Sequence, residues 1–173
     1  MRPVLETPRL ILREMGPEDA GFIGALLADP EVMRFYPARY VEEGAQPWIN
    51  RQVKRYETEG HGLWLLLARE SGAPLGQAGL VMQEVDGTRE AEIGYMVQRS
   101  SWGRGYATEA ATAVRDFAVE RLSRTRLISL IHPENVASQR VAIKVGMGWE
   151  RRTFFNGAEH ILFSVESGPT MRF

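Results

Sequence analysis

The sequence contains no cysteine and only three histidines among its 173 residues. The absence of cysteine excludes a disulfide framework, a thiolate zinc site, an iron–sulfur cluster and a covalent cysteinyl intermediate. The histidines lie far apart in the chain and show no HExxH spacing, so we expect no bound catalytic metal. They are His61, His132 and His160.

The sequence also lacks an excess of charge and a long hydrophobic run. Its 21 Lys and Arg residues oppose 22 Asp and Glu residues, for a net charge of −1, which disfavours a nucleic acid held mainly through its phosphates. The longest obvious apolar run, Leu63 to Ala68, is too short to cross a membrane, and the first residues form no apolar signal segment. We therefore expect a soluble cytoplasmic protein with no membrane partner, folded as a single domain over residues 1–173.

Hydrophobic periodicity predicts one series of short strands and helices. The Asp86-Gly87 and Asn156-Gly157 dipeptides are typical of two-residue hairpin turns. Four helices are expected, beginning near Gly16-Pro17, near Pro47, after the loop 100–105, and over 136–145. The expected strands are 10–12, 63–69, 75–83, 91–97, 126–131, 149–155 and 159–165.

These elements predict an α/β fold with a mixed, mostly antiparallel central sheet and helices on both faces. The strand ending at Val97 and the strand starting at Arg126 are joined through a helix, so we expect them to be parallel neighbours. Ligands of such units bind outside the carboxyl ends of the strands, near the start of the connecting helix.

At that place the segment 102–110 reads WGRGYATEA. Its small residues allow backbone N–H groups to approach an anion directly at a helix N-terminus. A diphosphate is a natural occupant, although a Gly-x-Gly before a helix is also common in a simple tight turn. The side chains that would add charge or a hydroxyl are Arg99, Arg104 and Thr108.

Three segments together resemble the GNAT superfamily of acyl-CoA-dependent N-acyltransferases, and within it the ribosomal-protein N-terminal acetyltransferase branch. They are the segment 102–110, the TPRLILR segment at 7–13, and the NVAS segment at 135–138. The resemblance covers nearly the whole chain. It implies the acyl-CoA N-acyltransferase fold, acetyl-CoA as co-substrate, and an acceptor amine on a protein N-terminus or a small molecule.

The resemblance also implies roles for individual residues in holding coenzyme A. The strand end at Met96-Val97 would pair with the pantetheine arm, and the thioester carbonyl would lie near the Val97 amide. Asn135 would hold the pantetheine or order the site. The diphosphate would be bound by the backbone amides of Arg104, Gly105 and Ala107, with Thr108 beside them.

One position departs from the superfamily pattern at this loop. Trp102 stands where Gln or Arg is often found, as is common in this branch. The diphosphate would then rely on backbone amides and on Arg99 or Arg104.

Acyl transfer from a thioester to an amine requires a neutral amine, a stabilised oxyanion and a leaving thiolate. Glu92 is the candidate general base, because strand alternation places it on one face of the strand 91–97. A solvated strand carboxylate is the alternative interpretation. Many superfamily members carry a tyrosine acid on the last helix where this sequence has Ala142. Ser138 is the candidate substitute, although it also suits an ordinary first-turn helix residue.

The chemistry of the acceptor favours an α-amine, whose pKa near ~7.7–8.0 leaves more neutral amine than a lysine side chain near ~10.4. The absence of cysteine supports direct attack of the amine in a ternary complex. Aromatic side chains that could line an acceptor groove are Trp48, Tyr56, Trp64 and Tyr95. Arg51, Lys54 and Arg55 could attract an acidic substrate or form a solvated helix face.

Two alternatives stay open at this point. The chain could acetylate a small amine such as a polyamine, an amino acid or an antibiotic, because acceptor specificity would lie in variable segments. It could also be a non-catalytic acyl-CoA-binding or sensing domain that has lost its acid at Ala142. Nucleotide binding is disfavoured, since the loop has no Gly-Lys-Ser/Thr sequence. The assembly is expected to be a monomer or a homodimer.

Overall fold

The computed structural model describes residues 3–167, in which eight strands alternate with five α-helices and two short 3₁₀ turns. The helices are α1 (Ala20–Ala28), α2 (Arg39–Glu43), α3 (Ala45–Glu59), α4 (Tyr106–Glu120) and α5 (Val136–Lys144). The strands are β1 (Pro3–Glu6), β2 (Leu10–Arg13), β3 (Leu63–Ala68), β4 (Pro74–Val85), β5 (Thr88–Val97), β6 (Arg126–Ile131), β7 (Gly148–Phe155) and β8 (Ala158–Glu166).

All eight strands form one sheet in the order β1-β2-β3-β4-β5-β6-β8-β7. Strands β5 and β6 are parallel and are connected through α4, whereas the other neighbouring pairs are antiparallel. The predicted mixed sheet, its antiparallel meander and its single parallel crossover are therefore confirmed.

Two hairpin turns have the backbone conformation that their sequences predict. The φ angles are +49° at Asp86 and +76° at Gly87, and +50° at Asn156 and +79° at Gly157. Positive φ at both central residues gives a primed turn, whose twist matches that of the flanking strands. These turns join β4 to β5 and β7 to β8.

Helices cover both faces of the sheet. On one face, Ala110 and Val114 of α4 are fully buried in a core that includes Leu80 and Ile93 of the sheet. On the other face, α1 and α3 bury a second core, which includes Ile49 of α3. The small residues along α4 let this helix approach the sheet closely. Within residues 3–167, no helix is both long and apolar enough to span a membrane.

The boundaries differ from the predicted ones mainly near the first helices. The predicted first helix begins with a 3₁₀ turn over Pro17–Asp19, where the Asp19 carboxylate accepts the Gly16 N–H and pairs with Arg13. Helix α3 begins two residues before Pro47, which is compatible with proline in a first helical turn. The short elements β1 and α2 were not predicted.

Candidate active site

Strands β5 and β6 separate from one another towards their carboxyl ends. Within the described residues they pair at one register position, Glu92 opposite Ile128. A continued parallel ladder would next join the Leu130 N–H to the Ile93 carbonyl. Instead, the Leu130 N–H donates to Glu92 Oε1 (3.3 Å) and the Ser129 hydroxyl donates to the Ile93 carbonyl (2.9 Å). Two side chains thus satisfy the backbone groups and keep the strands apart.

The backbone at the end of β5 is directed into this gap. The Gln98 N–H donates to the Leu75 carbonyl of β4 (2.8 Å), so by strand alternation Tyr95 and Val97 direct their backbone groups away from β4. The Trp102 indole N–H donates to the Val97 carbonyl (2.7 Å). The Val97 amide is therefore directed into the gap between β5 and β6.

The loop after β5 has the conformation of an anion-binding helix start. Gly103 and Gly105 have φ angles of +73° and +78°, a region that side-chain-bearing residues seldom adopt. Helix α4 begins at Tyr106, and Glu109 donates the first intrahelical hydrogen bond to the Gly105 carbonyl (3.0 Å). The preceding N–H groups have no acceptor four residues earlier in the helix, and the helix dipole adds positive potential there.

The segment at residues 7–13 holds this loop from outside. Arg9 Nη1 donates to the Arg104 carbonyl (2.8 Å), Arg9 Nε donates to Glu109 Oε2 (2.6 Å), and the guanidinium lies 4.7 Å from the centre of the Tyr106 ring. The Thr7 hydroxyl donates to the other Glu109 oxygen (2.6 Å). The structure thus gives the Thr-Pro-Arg sequence a physical role, since it braces the loop and the first turn of α4.

A cleft of about 480 Å³ lies beside this loop, and we call it the coenzyme cleft. Most of the predicted site residues line it. Its basic lining residues are Arg34, Arg140 and Lys144. The predicted residues that line it are Met96, Val97, Gly105, Ala107, Thr108, Asn135 and Ser138.

Two of the residues predicted to bind the coenzyme, Arg99 and Arg104, do not line the coenzyme cleft. Arg99 lies within 3.4 Å of Asp29 Oδ2 and borders a different depression. Arg104 is exposed, and its main-chain carbonyl is the group that accepts from Arg9. Arg140 and Lys144, one turn apart on α5, instead supply charge to the cleft.

A second cavity of about 290 Å³ opens on the other side of β5, and we call it the acceptor cavity. Segments distant in sequence form its wall, including α2, α3 and the β7–β8 hairpin. The coenzyme cleft and the acceptor cavity meet at four residues that line both. They are Phe35, Tyr36, Tyr95 and Met96.

Glu92 lies in the wall of the acceptor cavity. Its Oε2 accepts from Gln83 Nε2 (2.8 Å) and its Oε1 from the Leu130 N–H. Burial raises the pKa of Glu92 above its ordinary value, and these two hydrogen bonds oppose the rise. A carboxyl with a raised pKa beside a cavity is well suited to accept a proton near neutral pH.

Two hydroxyl-bearing residues meet where β5 faces α5. The Tyr95 hydroxyl donates to the Ser138 main-chain carbonyl (2.9 Å), and burial raises the pKa of Tyr95 above its ordinary value. The Ser138 N–H donates to Asn135 Oδ1 (3.2 Å), so Asn135 is the N-cap of α5. Ala142 is buried in the core.

The structure separates the four aromatic candidates for the acceptor groove. Trp48 and Tyr95 line the acceptor cavity. Tyr56 donates to the Leu63 carbonyl, and Trp64 is buried edge-on against Phe117 with ring centres 5.3 Å apart.

His160 also lines the acceptor cavity, a position that sequence reasoning missed. Its Nδ1 lies 3.0 Å from the Ala158 carbonyl, and its ring contacts Phe155 and His132 edge-on. Burial lowers the pKa of His160, so its ring is neutral near pH 7. No sequence signal connects this residue to β5, because their proximity arises from the sheet order.

An opened parallel strand pair, with a glycine loop at the following helix start, is the architecture of an acyl-CoA-dependent N-acyltransferase. Comparison with known families agrees with this class. The Acetyltransferase (GNAT) domain family matches residues 9–148, and the chain belongs to this family. The suspected superfamily and the enzyme class, an N-acetyltransferase, are thereby confirmed.

Individual relatives and solved structures are similar over most of the chain. The uncharacterized protein YkkB from Bacillus subtilis (strain 168) is 37% identical over 148 residues, which are 85% of this chain and 86% of the relative. An acetyltransferase structure from Agrobacterium tumefaciens str. C58 has a TM-score of 0.81 and 26% identity, covering 96% of each chain. RimL, a ribosomal L7/L12 α-N-protein acetyltransferase in complex with coenzyme A, has a TM-score of 0.78 and 16% identity, covering 95% and 98%.

Proposed function

We propose that the chain transfers an acetyl group from acetyl-CoA to the α-amine of an acceptor, by direct attack within a ternary complex. The observation that carries this proposal is the junction of the two cavities, of about 480 and 290 Å³, along the end of β5. An acetyl donor in the coenzyme cleft and an amine in the acceptor cavity would meet there. No acyl-enzyme stage is needed for such transfer, because both substrates reach the same wall.

The residues of the coenzyme cleft fit coenzyme A, which supplies the acetyl group as a reactive thioester. The left-handed glycines at 103 and 105 and the N–H groups at the start of α4 form a cradle for a diphosphate. We assign the diphosphate to the amides of Arg104, Gly105 and Ala107, with Thr108 beside them. Arg140 and Lys144 supply positive charge within the same cleft.

The other end of the coenzyme would extend along the opened edge of β5. Met96 and Val97 would contact the pantetheine arm there, and Asn135 would order the opposite wall. The Val97 amide would donate a hydrogen bond to the developing oxyanion, because its direction follows from the alternation of β5.

Glu92 would accept the proton of the attacking amine, directly or through a water molecule. Because the pKa of Glu92 is raised, its carboxylate binds a proton more tightly than the carboxylate of an exposed glutamate does. The ionised Glu92 side chain is therefore the stronger base of the two. The hydrogen bonds from Gln83 and Leu130 fix its orientation in the cavity wall.

Departure of the coenzyme thiolate would be assisted by a hydroxyl at the junction of β5 and α5. Ser138 is the first candidate, and Tyr95 is the second because its hydroxyl is held at the same place. We expect Ser138→Ala to lower acetyl-CoA turnover less than Gly105→Val, which blocks backbone approach to the coenzyme. A larger effect of Tyr95→Phe than of Ser138→Ala would assign the proton donor to Tyr95.

The acceptor is proposed to be a protein or peptide N-terminus, with a small amine as the alternative. RimL provides an example of this fold whose acceptor is a protein α-amine, and an α-amine is already partly neutral at physiological pH. A non-catalytic acyl-CoA-binding domain is disfavoured, because Glu92 is oriented in a cavity that meets the coenzyme cleft.

The acceptor class can be tested with labelled acetyl-CoA and a crude cytosolic extract. After the reaction, the macromolecular and small-molecule fractions are separated and counted. Label in a protein band supports the N-terminal acceptor and identifies it for sequencing. Label only in small molecules assigns a metabolite or drug acceptor, and label in neither fraction favours the binding-domain alternative.

The role of Glu92 can be tested with Glu92→Gln and a matched control, Glu84→Gln. Glu84 is an exposed carboxylate on the adjacent strand β4 and does not line the acceptor cavity. We expect Glu92→Gln to lower kcat/KM about 100-fold or more and to leave in its pH profile only the acidic limb of the acceptor amine itself. An unchanged pH profile would exclude Glu92 as the base.

A further inference from the structure

The acceptor cavity has a cationic wall formed by α2 and α3. Three guanidinium groups line this cavity, those of Arg39, Arg51 and Arg55, against two carboxylates, those of Glu43 and Glu92. The basic run on α3 is therefore only partly a solvated helix face, since two of its arginines face the site. The third basic residue of the run, Lys54, is exposed and does not line the cavity.

Arg51 has an unsatisfied donor in this wall. Its Nη1 donates to Glu43 Oε2 (2.5 Å), and its guanidinium lies 5.4 Å from the ring centres of both Tyr40 and Trp48. Its Nη2 is shielded from solvent and has no hydrogen-bond partner among residues 3–167. Buried N–H donors in native proteins are nearly always paired, so this donor is available to an acceptor once a neighbouring side chain moves to admit it.

Arg55 is a second cation of this wall and, unlike Arg51, it has no carboxylate partner among the described residues. It is half-buried and donates to Gln52 Oε1 (3.2 Å), and within residues 3–167 no carboxylate lies within 4.0 Å of it. Gln52 is 1% exposed and also accepts the Leu63 N–H (3.0 Å), so its amide oxygen is held in place. Burial lowers the pKa of Arg55, and the positive charge of Arg51 lowers it further.

Glu92 on β5 carries the complementary charge in the same cavity. Glu92 and Arg55 lie in the same cavity and interact electrostatically without forming an ion pair. An amine at the Glu92 end would lie near the junction with the coenzyme cleft, while the far end of the same molecule would face the arginines. The cavity volume of about 290 Å³ lies just below the usual range for small-ligand sites, about 300–1,000 Å³, so the acceptor group that enters it is small.

We propose that the acceptor is a primary amine that also carries a carboxylate, which Arg51 and Arg55 bind while Glu92 receives the amine. This inference rests on the proposed acetyl transfer and names the chemistry of its acceptor. The carboxylate belongs either to a free amino acid or to an acidic residue near the N-terminus of a peptide. Planar guanidinium groups suit carboxylates because they donate two parallel hydrogen bonds.

The same wall disfavours polyamines, one of the small-amine alternatives. A polyamine would bring several positive charges against Arg39, Arg51 and Arg55, and like charges in a partly buried site repel. The acceptor cavity therefore discriminates between amines by the charge of the rest of the molecule.

The proposal can be tested with acceptor pairs in which an amide replaces a carboxylate, at a pH where the α-amines of both members are neutral, and with a polyamine. Glutamate, phenylalanine and a peptide beginning with aspartate are compared with phenylalaninamide, a peptide beginning with asparagine, and spermidine. We expect kcat/KM to be about tenfold or more higher for phenylalanine than for phenylalaninamide and for the aspartate peptide than for the asparagine peptide, with glutamate a good acceptor and spermidine the poorest. A preference for the free amino acids or for the acidic peptide identifies the source of the carboxylate.

Two variants separate binding by the arginines from a general loss of structure. In Arg55→Gln we expect the carboxylate preference to fall to about twofold or less, through a higher KM for the carboxylate acceptors. In Lys54→Gln, a basic residue of α3 outside the cavity, we expect the wild-type preference. Because each ratio is measured within one variant, the fraction of folded protein cancels.

Three results would overturn the proposal. They are equal rates on carboxylate and amide acceptors, a preference for spermidine, and an equal loss on both acceptor types in Arg55→Gln. If none of the acceptors is acetylated, binding of the acceptors is measured instead, by calorimetric titration of each acceptor into the protein with coenzyme A present. Failure of glutamate, phenylalanine and the acidic peptide to bind then refutes the inference. Transfer to amides or spermidine at the same or a higher rate than to carboxylates refutes it while leaving the proposed acetyl transfer intact.

Discussion

Replacing Arg9 by alanine tests the idea that the segment at residues 7–13 prepares the coenzyme loop. Arg9 holds the Arg104 carbonyl and Glu109, and its side chain is 48% exposed. A hydrogen bond from a charged donor contributes roughly 1.5–3 kcal/mol, and exposure reduces this to about 1 kcal/mol. In the Arg9→Ala variant, coenzyme A must order the loop as it binds. This costs about 1 kcal/mol of binding free energy, which lowers the affinity for coenzyme A about fivefold.

The assay is calorimetric titration of coenzyme A, combined with steady-state kinetics. We expect the Kd for coenzyme A to rise about fivefold, while kcat at saturating acetyl-CoA stays within about twofold of wild type. The reason is that the bound loop has the same conformation in both proteins. Arg9 touches the loop from outside and lines neither the coenzyme cleft nor the acceptor cavity.

Arg69→Ala is the matched control for Arg9→Ala. Arg69 is also 48% exposed, and it contacts the same N-terminal segment through Glu6 and the Thr7 carbonyl. Its loss should leave the Kd for coenzyme A unchanged. The reasoning is refuted if Arg9→Ala binds coenzyme A like wild type, or if Arg69→Ala loses as much affinity.

Three further substitutions probe the loop, the base and the strand opening. Gly105 has a φ of +78°, so Gly105→Ala strains the loop by about 1–2 kcal/mol. This variant should bind coenzyme A more weakly in calorimetry. The control is Gly72→Ala, at a φ of +70° in a distant hairpin, which should lower thermal stability without changing coenzyme A binding. Because burial raises the pKa of Glu92 in the folded protein, its ionisation opposes folding as the pH rises through that pKa. Glu92→Gln should therefore be at least as resistant to urea as wild type at pH 8, and a clear loss of resistance would contradict this. Ser129→Ala leaves the buried Ile93 carbonyl without its donor, so the free energy of unfolding should fall by about 1–3 kcal/mol in urea titrations. An unchanged free energy of unfolding would show that the Ser129 hydroxyl does not stabilise the opened strands.

The sheet and its main helices could be predicted because their signals are local. Helix α4 has a regular stripe of small apolar residues, and the turns Asp86-Gly87 and Asn156-Gly157 specify their own backbone conformation. Strand β1 was missed because four residues at a sheet edge carry little alternation. Helix α2 was missed because its five residues include none that is buried, so it has no apolar stripe.

The conformation of the loop 100–105 could also be predicted, since its glycines and the start of α4 are adjacent in sequence. The direction of its charged side chains could not, because Arg99 is drawn to Asp29 of a distant segment. The acceptor cavity could not be predicted either, because the residues that line it are distant from one another in the sequence. It brings Trp48, Glu92 and His160 together through the order of strands in the sheet, which no short-range pattern encodes.

The central claim is that two substrates meet at the end of β5 and react there directly. Initial-rate kinetics with labelled acetyl-CoA and an acceptor, each varied at several fixed concentrations of the other, test this most directly. The account predicts intersecting double-reciprocal lines, and no label retained by the protein when the acceptor is omitted. Parallel lines together with a stably labelled protein would contradict it.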